Sequence, residues 1–456
     1  MQEINEFKYL KFASLDKTVF WDFDTLYNKD VIHSTFPIVK LSEIIVQRKG
    51  FITIDDNEIY RRCRVQIQGK GVVLRDEIIG KEIKTKKQQV CKTDDFLVAE
   101  IDAKVGGFGI VSQELQNSIV SGHYFLFEIN KNLLLPEFLA KLVKHDGFLK
   151  QVKSTGSTNY SAIRPYHVLG YKIPLPTLKD QETLISNYNA KIKEANLLKK
   201  RASELEEEIE DFLFESLGIS KKSLNVSKNR SLQLIDFNVV REWGLDKILS
   251  SSVKASTKFS LVSIEANPLL AKALFRGKSP RYKKGTNAFI LNQKCNRWNS
   301  LDLSFVKSVD EDWLKSIDID NFTKEGDVLI NSTGEGTIGR ATYIKKEYEG
   351  LLYDSHLLLL RFDNKKVNAK LFVDIFNSQY GQDQVNDIKS AQATKQTELG
   401  ISNLSRIQFP LPDELNIQND IASNISNLKG KIEQSRMNSV NFKLEAELEF
   451  ETAIFS

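Results

Sequence analysis

Hydrophobic and polar positions along this chain follow the same order twice. The strand-like run DFLVAEI begins at Asp95, and DVLINST begins at Asp327. GHYFLFEIN around His123 is matched in the same way by SHLLLLRFD around His356. Matching segments lie 232 to 236 residues apart, and this separation rises in order along the chain. A duplicated unit with a few loop insertions produces such a drift, so the pattern predicts two related globular domains.

Each copy ends in a PLP turn, followed by a long polar stretch with apolar residues three or four positions apart. The apolar stripe runs from Ile185 to Phe212 in the first copy and from Ile425 to Ala453 in the second. A narrow stripe of this period is typical of a helix in a coiled coil. Gly218 follows the first stripe and is a residue that commonly ends a helix. We therefore predict a long helix after each domain.

The expected fold class is α+β. Each domain mixes short alternating strands with one amphipathic helix, around 136–153 in the first copy and 368–386 in the second. Strands and helices do not alternate regularly, which argues against a doubly wound parallel sheet. Two long helices of one chain can pair as an antiparallel coiled coil with pseudo-two-fold symmetry. The predicted boundaries are 1–177 for the first domain, 178–218 for its helix, 219–233 for a linker, 234–412 for the second domain and 413–456 for the second helix.

The stretch INSTGEGTIGRA from Ile330 contains the glycine spacing of a dinucleotide-binding turn. Such a turn must follow a strand and open a helix. Here the residues after Gly339 alternate like a strand, and the sister segment KVGGFGIV lacks the spacing. We therefore predict a strand–loop–strand rather than a nucleotide site, which makes a nicotinamide-dependent oxidoreductase the weakest of the functional hypotheses.

Composition excludes several other classes. The net charge of +4 and the pI near 8.6 allow a polyanionic partner without requiring one. The three cysteines form no CxxC pair, and the five histidines form no HExxH motif, so no metal site is predicted. The N-terminus lacks the apolar core of a signal peptide, and a cytoplasmic protein is expected. No motif for a nuclease, a methyltransferase or a nucleophilic enzyme is evident, so no catalytic residue is predicted.

Basic runs and loops rich in Ser, Thr and Gln recur in both copies. Any single run is more often a solvated surface, but basic loops at corresponding places favour contact with DNA, because Lys and Arg neutralise phosphates and Arg, Asn and Gln can read base edges. The candidates in the first copy are Arg61, Arg62, Arg64, Lys84, Lys86, Lys87, Lys104, Lys153, Ser154, Thr155, Ser157, Thr158, Asn159 and Tyr160. Those in the second copy are Arg276, Lys278, Arg281, Lys283, Lys284, Arg297, Asn331, Ser332, Thr333, Arg340, Lys389, Gln392, Thr394, Lys395 and Gln396.

In its order of motifs, the chain resembles the specificity subunit of type I restriction–modification systems. The carriers are the duplicated D-x-L strand and loop, the Ser/Thr/Gln loop, the PLP turn with Gln181 or Gln418 after it, and the long helix that follows each copy. The likeness covers nearly the whole chain, and it is the order and the duplication that are specific. The second copy departs from the pattern in serines within its helical stripe and in one extra residue before Gln418.

The resemblance implies two target-recognition domains, each binding one half of a bipartite DNA sequence. It also implies an antiparallel coiled coil that sets the spacer length and helps to dock two DNA methyltransferase subunits, together with restriction–translocase subunits. S-adenosylmethionine, ATP and magnesium would then belong to those partners, with no cofactor in this chain. Two alternatives stay open: a specificity subunit of another restriction class, partnered by a fused nuclease–methyltransferase, and a coiled-coil scaffold that does not bind DNA.

Overall fold

The computed structural model describes residues 32–152, 162–220, 257–334, 336–388, 390–391 and 397–455. The chain forms two compact units. Unit 1 comprises Met1–Leu198 with Met437–Ser456, and unit 2 comprises Lys199–Arg436. Each unit therefore contains one globular domain and a stretch of each long helix.

Unit 1 contains eleven of the strands among the described residues. The strands are β1 (Ile38–Lys40), β2 (Ile45–Arg48), β3 (Phe51–Thr53), β4 (Ile59–Gln66), β5 (Gly71–Ile79), β6 (Lys87–Val90), β7 (Phe96–Ala99), β8 (Phe108–Ile110), β9 (Ile119–Val120), β10 (Tyr124–Ile129) and β11 (Lys172–Pro174). They form a four-stranded sheet in the order β2-β10-β7-β8, a five-stranded sheet in the order β3-β6-β9-β4-β5, and the pair β1-β11.

Unit 2 contains the other strands of the described chain. These are β12 (Leu261–Val262), β13 (Ala271–Arg276), β14 (Phe289–Leu291), β15 (Lys307–Ser308), β16 (Val328–Asn331), β17 (Ala341–Tyr343), β18 (Leu352–Tyr353), β19 (Leu357–Phe362), β20 (Ser390–Ala391), β21 (Thr397–Glu398) and β22 (Phe409–Pro410). Their sheets have the orders β13-β19-β16-β17 and β15-β14-β18, with the pairs β12-β22 and β20-β21.

The α-helices of the described chain include two that are far longer than the rest. They are α1 (Pro136–Leu142), α2 (Asp146–Leu149), α3 (Pro165–Gly170), α4 (Leu178–Leu217), α5 (Glu311–Lys315), α6 (Ala369–Asn377), α7 (Gln379–Ile388), α8 (Ile401–Ser405) and α9 (Leu415–Phe455). The predicted α+β class and the long helix after each domain are confirmed. No helix among the described residues is long and apolar enough to cross a membrane.

The predicted single amphipathic helix in each domain is wrong, because each is broken in two. In unit 1 the break is at His145, whose backbone is extended with ψ of 148°. In unit 2 it is at Ser378, with ψ of 166°. The amphipathic pattern continues across both breaks, so the sequence period alone did not reveal them.

The four-stranded sheets of the two units share one plan. Both are antiparallel throughout, and the D-x-L strand (β7 or β16) occupies the same interior position. The aspartate that begins this strand is buried and holds an arginine in each unit: Arg48 donates to Asp95, and Arg361 donates to Asp327 through two bonds of 2.7 Å. The arginines come from different strands, β2 and β19. Both units therefore have a buried aspartate–arginine ion pair, but the arginine comes from a different strand in each unit.

A buried glutamine joins each domain to the helix that follows it. Gln181 accepts a hydrogen bond from the backbone N–H of Leu135 and donates to the carbonyls of Leu133 and Pro176. Gln418 makes the same three kinds of bond, with the N–H of Asn368 and the carbonyls of Lys366 and Pro412. Both glutamines are fully buried, at 0% exposure. These two side chains therefore fix where α4 and α9 begin.

Within each unit, α4 and α9 contact each other in antiparallel sense. In unit 1, Tyr188 donates to Glu447 and Ser439 donates to the carbonyl of Ala195, so the α9 partner moves back along the sequence as the α4 residue moves forward. In unit 2, Ala202 and Leu205 pack with Ile432. The end of each helix also enters the core of the other copy's domain, through Phe450 and Ile454 in unit 1 and through Leu213, Phe214 and Leu217 in unit 2.

Candidate nucleic-acid interface

The two loops singled out in the sequence meet in each unit. In unit 1, the backbone N–H of Ile163, just past the Ser/Thr-rich segment, donates to the carbonyl of Glu100 after β7. In unit 2, Leu399 donates in the same way to Ser332 after β16. A histidine adjoins each junction, since Glu100 donates to the carbonyl of His123 and Ser332 to that of His356. The repeat thus brings three segments together where the D-x-L strand of each four-stranded sheet ends.

The glycines of INSTGEGTIGRA shape a turn between antiparallel strands. Val328 pairs with Tyr343, and Ile330 with Ala341, so β16 and β17 form a hairpin with no helix after the loop. Gly334 has φ of +104° and Gly339 has φ of +81°, a region that side chains other than glycine rarely adopt. The prediction of a strand–loop–strand is confirmed, and the glycine spacing has a conformational origin.

Two candidates in this loop face inward rather than outward. Asn331 accepts a hydrogen bond from Asn296 and donates to the carbonyl of Gln293, while Ser332 donates to the carbonyl of Leu399. Both are fully buried. Because their polar atoms are engaged within the protein, they hold the loop in place in this structure. Neither side chain is exposed, so in this structure neither offers a surface for the predicted contact with DNA.

Three cation–aromatic pairs lie on the adjoining surface of unit 2. Arg340 lies 5.9 Å from the ring centre of Trp298, Arg297 lies 4.8 Å from that of Phe305, and Lys307 lies 4.9 Å from that of Tyr282. All three aromatic side chains are exposed, between 40% and 53%.

Of the three cations, Lys307 is exposed and Arg297 and Arg340 are half-buried. Exposed aromatic rings beside cationic groups suit a nucleic acid, because phosphates attract the cations and bases or sugars pack on the rings. Arg297 and Arg340 were predicted site residues. Phe305 and Lys307 were missed, since each is an ordinary surface residue in the sequence.

The remaining basic candidates of unit 2 differ in how free their charge is. Lys283 is bound by Asp310 at 2.8 Å, and this hydrogen bond raises the pKa of Lys283. Arg276 pairs with Glu398 and donates to the carbonyl of Ser355. Arg281 and Lys284 are exposed, Lys278 is half-buried, and no carboxylate partner is seen for these three within the described part of the chain. Thr333 lies 2.7 Å from the ring of His356.

In unit 1, two of the predicted arginines are neutralised across the β4–β5 hairpin. Arg62 forms two bonds of 2.7 Å with Asp76, and Arg61 lies 3.4 Å from Glu77 and donates to the carbonyl of Glu114. The bond to Arg62 lowers the pKa of Asp76, which keeps this pair charged. These arginines therefore have less charge to offer a phosphate than the sequence indicated.

Among the predicted cations of unit 1, Arg64, Lys84, Lys87 and Lys104 are exposed. Lys86 forms an ion pair with Asp56 and donates a hydrogen bond to the carbonyl of Gly80, so it links the β3–β4 loop to the end of β5. Lys104 lies in the β7–β8 loop, against which the β4–β5 turn packs: Gly69 donates to the carbonyl of Gly106 at 3.1 Å. A Cβ at Gly106 would lie 2.9 Å from the nitrogen of Gly69, so this approach requires glycine.

Part of the predicted site lies outside the described residues, where no structural statement is made. The positions concerned are Lys153, Ser154, Thr155, Ser157, Thr158, Asn159, Tyr160, Lys389, Gln392, Thr394, Lys395 and Gln396. Among the residues that are described, no cluster of three or more His, Cys, Asp or Glu side chains could hold a metal ion.

Comparison with known proteins agrees with this arrangement. Residues 274–441 match the family model described as the type I restriction modification DNA specificity domain. A search of curated protein sequences found no match.

Three solved structures are similar to this chain, and the first of them shares its fold. A chain from a study of complex assembly and conformational transition of the type I R-M system is 15% identical with a TM-score of 0.57, over 92% of this chain and 96% of that one. The HsdS subunit from Thermoanaerobacter tengcongensis is 14% identical with a TM-score of 0.47, over 92% and 97%. The S subunit from M. genitalium is 12% identical with a TM-score of 0.45, over 94% and 97%.

The first of these structures shows the fold of the chain, and the family match shows similarity to a DNA specificity domain over residues 274–441. The resemblance to the specificity subunit of type I restriction–modification systems, stated from the sequence, is confirmed by this family match over residues 274–441.

Proposed function

We propose that the two domains bind the two halves of a split DNA sequence, with the α4–α9 pairing setting the distance between the halves. The observation that carries the proposal is one frame with two different surfaces. The four-stranded sheets and the glutamine junctions are the same in both units. Outside this frame, unit 1 has a five-stranded sheet with one exposed cation–aromatic pair, in which Lys87 lies 4.7 Å from the ring centre of Phe51. Unit 2 has a three-stranded sheet and the three cation–aromatic pairs described above.

Different surfaces on one frame are what an asymmetric bipartite target requires. Phosphate contacts fix the position of a protein on DNA, and contacts to base edges distinguish sequences. The frame would give both domains the same orientation on DNA, and the surrounding loops would read different bases. The exposed cations of each unit supply the phosphate contacts in this proposal.

The chain would act in the cytoplasm with two methyltransferase subunits and with restriction–translocase subunits. Those partners would methylate and cleave the DNA, and this chain would recognise the sequence.

The test is to express the chain with its methyltransferase subunit in cells without other DNA methylation, and then to sequence the methylated bases. We expect one motif made of two short specified parts separated by unspecified bases. Methylation at an unbroken motif, or methylation without sequence preference, would contradict the proposal.

A further inference from the structure

Several residues that are identical in the two copies of the repeat are buried in both units. Asp95 and Asp327 begin the D-x-L strand, and Leu126 and Leu359 lie in the strands that pair with it. All four are between 0% and 3% exposed. Close packing accounts for these identities, because a core tolerates few changes of shape or polarity.

One identity of the repeat lies at the surface instead. His123 and His356 are equivalent, 233 residues apart, and both are exposed. The side chain of His123 is 75% exposed. Because so exposed a side chain contributes little to packing, its presence in both copies indicates a role outside the core.

The two imidazole rings are held by the same nitrogen. Nδ1 of His123 lies 2.8 Å from Oε2 of Glu100, and Nδ1 of His356 lies 2.7 Å from Oγ1 of Thr333. Both partners come from the loop that follows the D-x-L strand. The partner differs between the copies, whereas the ring and the nitrogen that it uses are the same.

The atom that holds each ring is a hydrogen-bond acceptor. The carboxylate of Glu100 can only accept, and Thr333 donates its one hydrogen to Oε1 of Gln293 at 3.0 Å. Nδ1 is therefore the donor in both units. No hydrogen-bond partner of Nε2 in either ring is seen within the described part of the chain, so this second nitrogen is left for a ligand.

The carboxylates that contact the two histidines are paired or buried. Glu100 is 12% exposed and also binds Arg164. Asp354 is 2% exposed and accepts the backbone N–H of His356. An arginine adjoins each ring, because Arg164 binds Glu100 and Arg276 donates to the carbonyl just before His356. Each site is thus suited to an anion.

The part of a DNA target that two different half-sites share is the phosphate backbone. Contacts to phosphates position a protein, and contacts to base edges distinguish sequences. A residue that is the same in both domains therefore suits a phosphate, whereas residues that differ suit the bases.

We propose that His123 and His356 each donate from Nε2 to a DNA phosphate, at equivalent places in the two half-sites. Each ring binds as an imidazolium, in which both nitrogens donate: Nδ1 to Glu100 or Thr333, and Nε2 to the phosphate. The two histidines position their domains and read no base. This inference rests on the proposed function, because it takes DNA to be the ligand of each domain.

The test is fluorescence anisotropy of the full chain at several salt concentrations, on a duplex with the methylated motif and on a scrambled duplex. His123→Ala and His356→Ala should each lower the slope of log affinity against log salt concentration by about one, and the double variant by about two. Affinity should fall about fivefold for each single variant, equally on both duplexes. His33→Ala, at an exposed histidine before β1, is the matched control and should change neither quantity.

A lysine variant separates the charge of the ring from its contact with the loop. The lysine is placed in unit 2, where the anchor Thr333 carries no charge. His356→Lys loses the bond to Thr333 but retains a cation, so its slope should match that of the wild type. A slope as low as that of His356→Ala would show that the ring only braces the loop, and would overturn the inference.

Two further results would also overturn it. One is a loss of affinity with an unchanged salt slope in the alanine variants. The other is a change in one part of the methylated motif in His123→Ala or His356→Ala, because the histidine would then read a base.

The motif of the wild-type chain separates this inference from the proposed function. An unbroken wild-type motif together with the lowered slopes would refute the function and leave the phosphate contacts intact. A split motif with unchanged slopes would refute the phosphate contacts and leave the function intact.

Discussion

Replacement of Gln418 by Leu should destabilise unit 2 at the point where the domain meets α9. The side chain is fully buried and makes three hydrogen bonds, of 2.8 Å with the N–H of Asn368, 3.0 Å with the carbonyl of Lys366 and 2.8 Å with that of Pro412. Leucine has a similar volume and offers none of them. At about 1 kcal/mol for each bond, the expected loss in the free energy of unfolding is about 3 kcal/mol.

The assay is thermal unfolding followed by calorimetry. For a unit of this size, a loss of about 3 kcal/mol lowers Tm by roughly 6–12 °C. Asn416→Leu is the matched control, since Asn416 is exposed and lies half a turn earlier on the same helix. Gln181→Leu should produce the same loss in unit 1. A change of less than about 0.5 kcal/mol in Gln418→Leu would refute the reasoning, because such a value is typical of a surface substitution.

Three further predictions concern the surface and the core. Lys284→Ala should lower the slope of log DNA affinity against log salt concentration by about one, because each phosphate contact releases counterions. Lys283→Ala should lower this slope less, because Asp310 already binds Lys283. Equal slopes for the two variants would contradict this prediction. Trp298→Ala should weaken DNA binding about tenfold, or about 1.4 kcal/mol, without changing Tm, as measured by fluorescence anisotropy. Burial lowers the pKa of His145 from its ordinary value of 6.5, and the charge of Lys144 lowers it further. Glu447 and Glu451 act in the opposite direction but do not outweigh burial. The folded state then binds fewer protons than the unfolded state, so unit 1 should lose stability as the pH falls below about 6.5, and His145→Gln should remove that part of the pH dependence in urea unfolding.

Much of the architecture could be predicted because the local spacing of apolar residues indicates the helices and the duplicated segments indicate the two domains. The apolar stripes of α4 and α9 and the equivalence of the D-x-L strands are visible in one sequence. The breaks at His145 and Ser378 are not, because the apolar period passes through them undisturbed and only the backbone turns.

The site was predicted less completely, because charge in a sequence does not show what neutralises it. Arg61 and Arg62 read as a basic run, yet the returning strand places Glu77 and Asp76 beside them. Asn331 and Ser332 were candidates because of their residue types, and the fold uses both to hold the loop. The pairing of Arg340 with Trp298 joins residues 42 positions apart, which no local pattern could indicate.

The central claim is that each domain reads its own half of one DNA target, and the most direct test changes one domain only. Exposed Trp298 and half-buried Arg340 are both replaced by alanine. The methylated motif is then determined by sequencing methylated bases from cells that express the variant with its methyltransferase. We predict that one part of the motif becomes less specific while the other part and the spacer stay as they are. A change in both parts, or a change in the spacer with both parts intact, would contradict the account.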